Sequence, residues 1–214
     1  MNKNSKLLKI IESTSLIIAG ILLIYLTSLI FPQIKNNILT FIIIMIIGII
    51  SIDFISGLVH WFCDTWGNRK WFFIKPFIEH HKNQKEICKH SFTQINGNNA
   101  MIIIPFLFLA IFINNKDKVN FIISSLIWIM SIFGLITNQI HKWAHMDKIP
   151  KTIKILQKVG IIISPKKHNI HHRDKHDKHY SITNGLTNKL LDKIRFYKLL
   201  ERIITKLTGI NPRR

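Results

Sequence analysis

The residues of this chain that are best suited to chemistry are its histidines, which come in short groups at or beyond the ends of apolar segments. All but one of the eleven belong to these groups: His60, His80, His81, His90, His141, His145, His168, His171, His172 and His176. Imidazole is a good ligand for iron, zinc and copper. Because no packing requirement explains so many imidazoles at such short spacings, we predict that these residues bind metal. The remaining one, His179, is predicted to be a surface residue.

Helical spacing places several of these side chains on common faces. His141 and His145 are i, i+4 neighbours, and Asn138 lies one turn earlier on the same face. A second set consists of His168, His171 and His172 at i, i+3 and i+4, and His176 extends it if the helix continues. Asn138 is therefore a candidate catalytic residue beside the predicted metal ligands.

Two carboxylates share a helical stripe with a predicted ligand, since Asp53, His60 and Asp64 stand at i, i+7 and i+11. Asp53 lies deep in an apolar segment, where an unpaired carboxylate is costly. Two interpretations remain open for it: a buried group bonded to a neighbouring helix or to Ser51 or Ser56, or a group that orients a metal ligand. Asp64, nearer the end of the segment, is predicted to bind metal or to orient a ligand. Both are candidate catalytic residues.

The elements that must position these groups are membrane helices. Hydrophobic residues make up 48% of the 214 residues and lie in long blocks. The blocks at 13–31, 38–62 and 119–137 can each cross the ~30 Å hydrocarbon layer. The block at 100–113 is shorter than the ~17 residues usually needed, so it either spans a thinned bilayer or enters and returns. We predict an all-α bundle with four spans and a retained first segment rather than a cleaved signal peptide.

The spans divide a single predicted membrane domain, 1–214, into consecutive parts. These are two spans in 13–62, a histidine-bearing loop in 63–99, a helical hairpin in 100–137, and a histidine-rich amphipathic region in 138–214. With four crossings, the loop and the last region lie on the same side of the membrane. All histidine groups are therefore expected to meet at one depth, at one end of the bundle.

Charge predicts which side this is. Of the 30 lysines and arginines, only Lys35, Lys116 and Lys118 fall on the opposite side, so the positive-inside rule places the histidines in the cytosol, at a bacterial inner membrane or an endoplasmic reticulum membrane. The net charge of +19 is expected to face anionic lipid headgroups rather than nucleic acid. Cys63 and Cys88 lie on this reducing side and are predicted to be ordinary thiols.

Two segments near the end of the chain are predicted to be peripheral amphipathic helices. The first, 149–163, is apolar with interspersed lysines. The second has an apolar stripe formed by Leu190, Ile194, Tyr197, Leu200, Ile204 and Leu207. Lysines and arginines lie largely off this stripe, which favours a helix in the plane of the headgroups. The alternative is a helix whose apolar face packs on the protein.

The number and type of candidate ligands limit which kind of metal site the chain can form. Structural zinc needs four ligands and catalytic zinc usually three, fewer than this chain offers. Soluble di-iron bundles use glutamates in Glu-x-x-His repeats, whereas this chain has four glutamates and no such repeat. A histidine-rich pair of irons fits the remaining pattern and suits oxidation of an unactivated C–H bond. A non-enzymatic metal-binding protein or transporter is the alternative, disfavoured because only Asp53 lies deep in a span.

The histidines lie within several ordered motifs: D-F-x2-G-L-V-H-W-x2-D-T-W-G at 53–67, E-H-H at 79–81, His90 with Asn96 and Gly97, N-Q-I-H-K-W-A-H at 138–145, H-x2-H-H at 168–172 with His176, and I-T-x-G at 182–185. These motifs resemble the plasmanylethanolamine desaturase family of lipid desaturase domains. The resemblance covers about residues 50–200. It implies a multi-pass, O2-dependent desaturase with two iron ions that forms the vinyl-ether double bond of plasmalogens from a 1-alkyl ether phospholipid.

The resemblance also implies partners: a membrane phospholipid, O2, and a small electron donor such as cytochrome b5 or a ferredoxin. Related plant members instead desaturate an acyl chain of phosphatidylglycerol. An acyl-lipid desaturase or a lipid hydroxylase at the same site is therefore the alternative. The oligomeric state is not predicted.

The chain departs from the family pattern at a few positions around the histidines. Ser91, Gln94 and Asn98 stand where acidic residues are expected, and no proline follows the His-His pair. His179 and Tyr180 stand where two aromatic residues are common. The predicted ligands themselves are intact, so these departures affect substrate choice and the surroundings of the ligands more than metal binding.

Overall fold

The computed structural model of the chain describes residues 3–71, 73–114, 117–173 and 175–213. All its regular elements are helical and no strand occurs within these ranges, which confirms the predicted all-α fold. The helices are α1 (Lys3–Ile34), α2 (Ile38–Thr65), α3 (Lys75–Lys82), α4 (Phe92–Ile113), α5 (Lys118–His145), α6 (Lys151–Lys158), α7 (Pro165–His168), α8 (Asn188–Lys193) and α9 (Phe196–Thr208). A 3-10 turn, Glu86–Lys89, precedes α4.

Four helices, α1, α2, α4 and α5, are long and apolar enough to cross a bilayer, and most of their residues are not buried by the protein. The chain is an integral membrane protein, as predicted. The third span is longer than its apolar block, because α4 begins at Phe92 and has 22 residues. Its start is fixed by a capping box, in which the side chains of Ser91 and Gln94 each accept the other's backbone N–H.

The connection between the third and fourth spans is short. α4 ends at Ile113 and α5 begins at Lys118, where the Asp117 carboxylate accepts the backbone N–H groups of Val119 and Asn120 at 2.8 and 3.2 Å. Such a bond pattern satisfies N–H groups that the first turn of a helix leaves unpaired. Residues 115 and 116, including Lys116 of the predicted turn, lie outside the described residues.

The chain forms two compact units, of which the first comprises Met1–Ile52 and His90–Gln139. Its apolar core includes Ala19, Leu26, Ile30, Ala100, Leu107, Ala110, Phe121 and Ile129. Polar groups join α4 to α5 within this unit: Asn138 Nδ2 donates to the Ile95 carbonyl at 2.6 Å and to Asn99 Oδ1 at 3.2 Å. The structure thus gives Asn138 a helix-packing contact, and its catalytic role stays a prediction.

The second unit comprises Asp53–Lys89 and Ile140–Arg214, and it contains the short helices α3 and α6 to α9. Its core is largely aromatic and consists of Trp61, Trp66, Tyr180, Leu191 and Tyr197. The Trp61 indole N–H donates to Glu201 on α9 at 3.0 Å, and its ring lies 5.7 Å from that of Tyr197. These contacts attach α9 to the last part of α2.

The apolar side chains of α8 and α9 point in two directions. Tyr197 is buried, and Leu200 and Ile204 pack against the same aromatic core, so the middle of the predicted stripe faces the protein rather than lipid. This is the alternative in which the helix packs on the protein. A second set, on α8 and α9 and at either side of α8, is exposed and is called the outer apolar face here: Leu186, Leu190, Ile194, Leu199, Ile203 and Leu207.

Candidate metal centre

The second unit brings together most of the predicted ligands. α2 carries His60 and Asp64 near its end, and α5 ends with His141 and His145. The two helix ends meet, because the ring centroids of His60 and His141 are 5.8 Å apart. The other predicted ligands of this unit lie on α3 (His80, His81), at the end of α7 (His168) and in the segment after it (His171, His172, His176).

Five imidazoles form one set, which we call the five-histidine group: His80, His141, His145, His168 and His172. One ring nitrogen from each lies within 4.8 Å of all the others. The Nε2 of His168 is 2.8 Å from that of His145 and 2.9 Å from that of His172. The Nε2 atoms of His80 and His172 are 3.2 Å apart, as are those of His141 and His145.

This donor set fits a cation. Burial, followed by the neighbouring imidazoles, lowers the pKa of His80 to about 2 and holds the pKa values of His168 and His172 well below the usual range. The rings are therefore neutral near pH 7, with lone pairs that converge on one place. The Nδ1 atoms of these three rings are buried without a hydrogen-bond partner among the described residues, whereas each of their Nε2 atoms lies within 3.2 Å of another Nε2 in the group.

A second set, which we call the aspartate group, contains His60, Asp64, His81 and His171. Asp64 Oδ1 lies 2.9 Å from His81 Nε2. Its Oδ2 lies 3.5 Å from His60 Nε2 and 3.4 Å from His171 Nε2. These last three atoms are buried without hydrogen-bond partners in the part of the chain that the structure describes, which suits a metal ion between them.

The two groups adjoin each other. His81 of the aspartate group and His172 of the five-histidine group form a third possible ligand set with His176. The ring centroids of His81 and His172 are 5.3 Å apart. One continuous cluster therefore contains two sets of ligand atoms, one all-nitrogen and one with a carboxylate.

Backbone carbonyls fix the ring orientation of two ligands in the aspartate group. His60 Nδ1 lies 3.0 Å from the carbonyl oxygen of Tyr180, and His171 Nδ1 lies 2.8 Å from that of Lys178. Because a carbonyl only accepts, each Nδ1 must carry the proton, and each Nε2 then keeps its lone pair for a metal. The segment 178–180 thus prepares both rings as ligands.

Asp53 holds the chain that follows this segment. Its carboxylate, fully buried, accepts the backbone N–H groups of Asn184, Gly185 and Thr187 at 2.8–3.0 Å and the Thr187 hydroxyl at 2.7 Å. Ser56, one turn later on α2, accepts the Ile182 N–H at 3.1 Å. The partners of the Asp53 carboxylate are therefore loop N–H groups and the Thr187 hydroxyl, whereas the Ser56 hydroxyl donates to the Asp53 backbone carbonyl at 2.7 Å. A catalytic role for Asp53 stays a prediction.

Gly57 lets the same segment approach α2 closely. A Cβ atom at this position would lie 2.4 Å from the hydroxyl of Tyr197 and 2.5 Å from that of Ser181. Both distances are too short for any side chain, so only glycine fits without displacing these residues. One face of α2 thus provides Asp53, Ser56, Gly57 and His60 as successive contacts for residues 180–187.

Two histidines, His90 and His179, lie outside the ligand sets. His90 is exposed, belongs to the first unit, and takes part in none of the three sets found among the described residues. Its metal-binding role stays a prediction. His179 is not the surface residue that the sequence predicts: its side chain is 16% exposed and its Nδ1 lies 2.5 Å from Asp192 Oδ2. The two cysteines are free thiols, as predicted.

Sequence reasoning missed Arg213. Its guanidinium donates to the carbonyl oxygens of Trp66 at 2.8 Å, of Gly67 at 3.0 Å and of Cys63, and its backbone N–H donates to the Thr65 carbonyl at 2.8 Å. These bonds satisfy carbonyls that the last turn of α2 leaves unpaired, beside Asp64. No local pattern relates an arginine to a helix end so far away in sequence.

Membrane-spanning helices that end in buried, adjoining sets of imidazole ligands define a metal-binding integral membrane protein. The chain belongs to the lipid desaturase domain family, whose model matches residues 49–214. This confirms the family resemblance of the motifs. No solved structure matches the chain.

Curated relatives carry more specific names. The chain is 38% identical over 174 residues to the plasmanylethanolamine desaturase of Myxococcus xanthus, covering 79% of this chain and 62% of the relative. It is 36% identical over 180 residues to plasmanylethanolamine desaturase 1 of Mus musculus, covering 79% and 66%. It is 29% identical over 173 residues to the chloroplastic fatty acid desaturase 4 of Arabidopsis thaliana, covering 78% and 52%. The matched part therefore spans between about half and two thirds of these relatives' length.

Proposed function

We propose that the chain is an O2-dependent lipid desaturase that forms the vinyl-ether double bond of plasmalogens from a 1-alkyl ether phospholipid such as plasmanylethanolamine. One observation carries the proposal: two adjoining, buried ligand sets lie at the ends of membrane helices. Relatives named plasmanylethanolamine desaturase, at 36–38% identity, supply the reaction.

The metal that we assign is iron, with one ion in the five-histidine group and one in the aspartate group. Imidazole and carboxylate ligands suit iron, and two ions use the available donors better than one. Bound iron supplies the oxidant that removes hydrogen from an unactivated alkyl carbon, which side chains alone cannot do. Neither group includes His90 or His176, although His176 shares the third ligand set with His81 and His172.

The residues of the chain orient and shield this centre. Asp64 provides the negative charge of the site and contacts three imidazoles. The carbonyls of Lys178 and Tyr180 keep His171 and His60 in the tautomer with the proton on Nδ1, which leaves the Nε2 lone pair for a metal. His60, His168 and His171 are fully buried, which keeps bulk water from the ligands.

The reaction needs two electrons from a small electron donor. The alkyl chain loses two hydrogens from adjacent carbons next to the ether oxygen, and O2 takes up these hydrogens, two electrons and two protons to give two waters. We assign the electrons to a donor such as cytochrome b5 or a ferredoxin. The substrate is a phospholipid that enters from the bilayer, with the site on the cytosolic side of a bacterial inner membrane or of the endoplasmic reticulum membrane.

Expression of the chain in a host that makes plasmanyl lipids but no plasmalogen tests the proposal. Lipid mass spectrometry should detect a product two hydrogens lighter than the alkyl-ether precursor, with a chain released by mild acid. A variant carrying His141→Ala is the matched control and should give no product. An active electron donor and iron supply with no such product would reject the proposal.

The fatty acid desaturase relatives favour a second candidate, desaturation of an acyl chain. This reaction also removes two hydrogens, but the product is stable to mild acid and its double bond lies in the acyl chain. Hydroxylation would instead add one oxygen. The same lipid extracts distinguish all three outcomes.

A transport function has less support. Transporters place ionisable ligands near the middle of their spans. Asp53 is the deep acidic residue of α2, and loop N–H groups and a hydroxyl already surround its carboxylate. Iron analysis of the purified chain provides a further test, because two iron ions per chain favour the desaturase and a single zinc ion favours a non-enzymatic role.

A further inference from the structure

His179 has a backbone conformation that is unusual for a residue other than glycine. Its φ angle is 58°, in the left-handed region that is sterically unfavourable for residues with a Cβ atom. Surrounding contacts must therefore hold it in place. The residues on either side of it, Lys178 and Tyr180, are the two that orient ligands of the aspartate group.

Asp192 on α8 makes those contacts. Asp192 Oδ1 accepts the backbone N–H of His179 at 3.3 Å, and Oδ2 lies 2.5 Å from the imidazole Nδ1. One turn earlier on α8, the Asn188 side chain exchanges two hydrogen bonds with the backbone of Ser181, at 2.8 and 3.0 Å. α8 therefore holds residues 179 and 181, while the carbonyls of 178 and 180 face the ligands.

The two carbonyls serve only one of the ligand sets. The Lys178 carbonyl accepts from His171, and the Tyr180 carbonyl accepts from His60. Both rings belong to the aspartate group, and neither belongs to the five-histidine group. A change in the backbone at His179 should thus disturb one set of ligands and leave the other intact.

We propose that Asp192 and His179 are positioning residues for the aspartate group: Asp192 holds His179 in its left-handed conformation, and this conformation directs two carbonyls to His60 and His171. The inference rests on the proposed function only for its two metal ions, not for the substrate or the reaction.

Metal titration of the purified full-length chain tests this directly. The metal-free protein in detergent is titrated with Co²⁺, whose absorption reports bound ions, and the wild type should bind two. Asp192→Ala should weaken one of them about 10–100-fold, the usual effect of removing a group that orients a ligand. The other ion, in the five-histidine group, should bind as in the wild type and so reports correct folding. Asp147→Ala is the matched control, because this carboxylate is 87% exposed and its ion pair with Lys85 is a surface contact.

Glycine and valine at position 179 distinguish a role of the backbone conformation from a role of the His179 imidazole. His179→Val should weaken the same ion as Asp192→Ala, because a β-branched residue resists positive φ. His179→Gly should bind that ion more tightly than His179→Val, since glycine adopts positive φ freely. His179→Gly should also restore part of the affinity lost in Asp192→Ala. Equal losses in the glycine and valine variants would overturn the proposal.

A double-mutant cycle assigns the affected ion. Asp192→Ala should add little to the loss caused by His60→Ala, because both act on the aspartate group. It should add its full loss to that of His145→Ala, which acts on the five-histidine group. Unchanged binding of both ions in Asp192→Ala, or a wild type that binds fewer than two, would contradict the inference. Two bound ions without a vinyl-ether product would reject only the proposed function.

Discussion

The five-histidine group and the aspartate group contain similar residues but are positioned in different ways. Four of the five histidines in the first group lie on helices α3, α5 and α7, and the spacing of His141 and His145 on α5 follows from helical periodicity. In the second group, two imidazoles take their orientation from carbonyls of the irregular segment 178–180. That segment is held by α8, and the chain beyond it by Asp53 and Ser56 on α2.

This difference indicates where each group is vulnerable. The five-histidine group depends on the ligands themselves and on the helices that carry them. The aspartate group depends also on residues that touch no metal, because several contacts between distant parts of the chain must form together. Substitutions outside the ligands should therefore affect the aspartate group more than the five-histidine group.

The largest effect is expected from removal of a ligand. His172→Ala should lower desaturase activity by more than about 100-fold, since loss of a ligand costs more than the ~10–100-fold in affinity that orienting groups provide. The variant should still insert into the membrane, because the four apolar spans are unchanged. Lipid mass spectrometry and membrane fractionation measure the two results. Full activity would remove His172 from the ligand set.

Gly57→Ala should act on the aspartate group through packing. The added Cβ would collide with Tyr197 and Ser181, and overpacking of this kind costs about 1–3 kcal/mol. A lower thermal unfolding temperature in detergent and weaker binding of one Co²⁺ ion should result. Gly20→Ala on α1 is the control, since a Cβ there meets no atom within 4 Å. If the two variants behave alike, close approach at Gly57 is not needed.

Asp53→Asn should have an effect of similar size in the same direction. The amide keeps the size of the carboxylate but loses its charge, and hydrogen bonds to a charged group contribute about 1.5–3 kcal/mol. The loop at 184–187 should loosen and the unfolding temperature should fall, with the five-histidine group still able to bind its ion. Hydrogen exchange of the loop N–H groups checks this. Unchanged exchange rates would show that the charge of Asp53 does not hold this loop.

Arg213→Ala should give the smallest change, about 1 kcal/mol of stability, through loss of the bonds to the end of α2. Arg213→Lys should fall between the alanine variant and the wild type, because lysine keeps the charge but not the planar fork of donors. Thermal unfolding measures both. Arg202→Ala, at an exposed position on α9, is the control. An equal loss in that control would mean that general surface charge, not the bonds to α2, explains the effect.

The sequence is sufficient to predict the four spans and the convergence of most candidate ligands, because both depend on local patterns. Long apolar blocks determine spans, and short histidine spacings determine common faces. The start of α4 at Phe92 was not predicted, because the apolar block at 100–113 begins after the capping box of Ser91 and Gln94. The contacts of Asp53 with Gly185, and of His179 with Asp192, could not be predicted from such patterns. They join residues with no shared periodicity, and only the folded loop brings them together.

The outer apolar face of α8 and α9 has a practical consequence for handling the protein. Its leucines and isoleucines are exposed although they belong to none of the four spans. Exposed apolar patches of this kind promote association between molecules in water. A solubilising amphiphile must therefore coat this face as well as the spans. A nanodisc with acidic lipids should keep the purified chain monodisperse better than a small uncharged micelle.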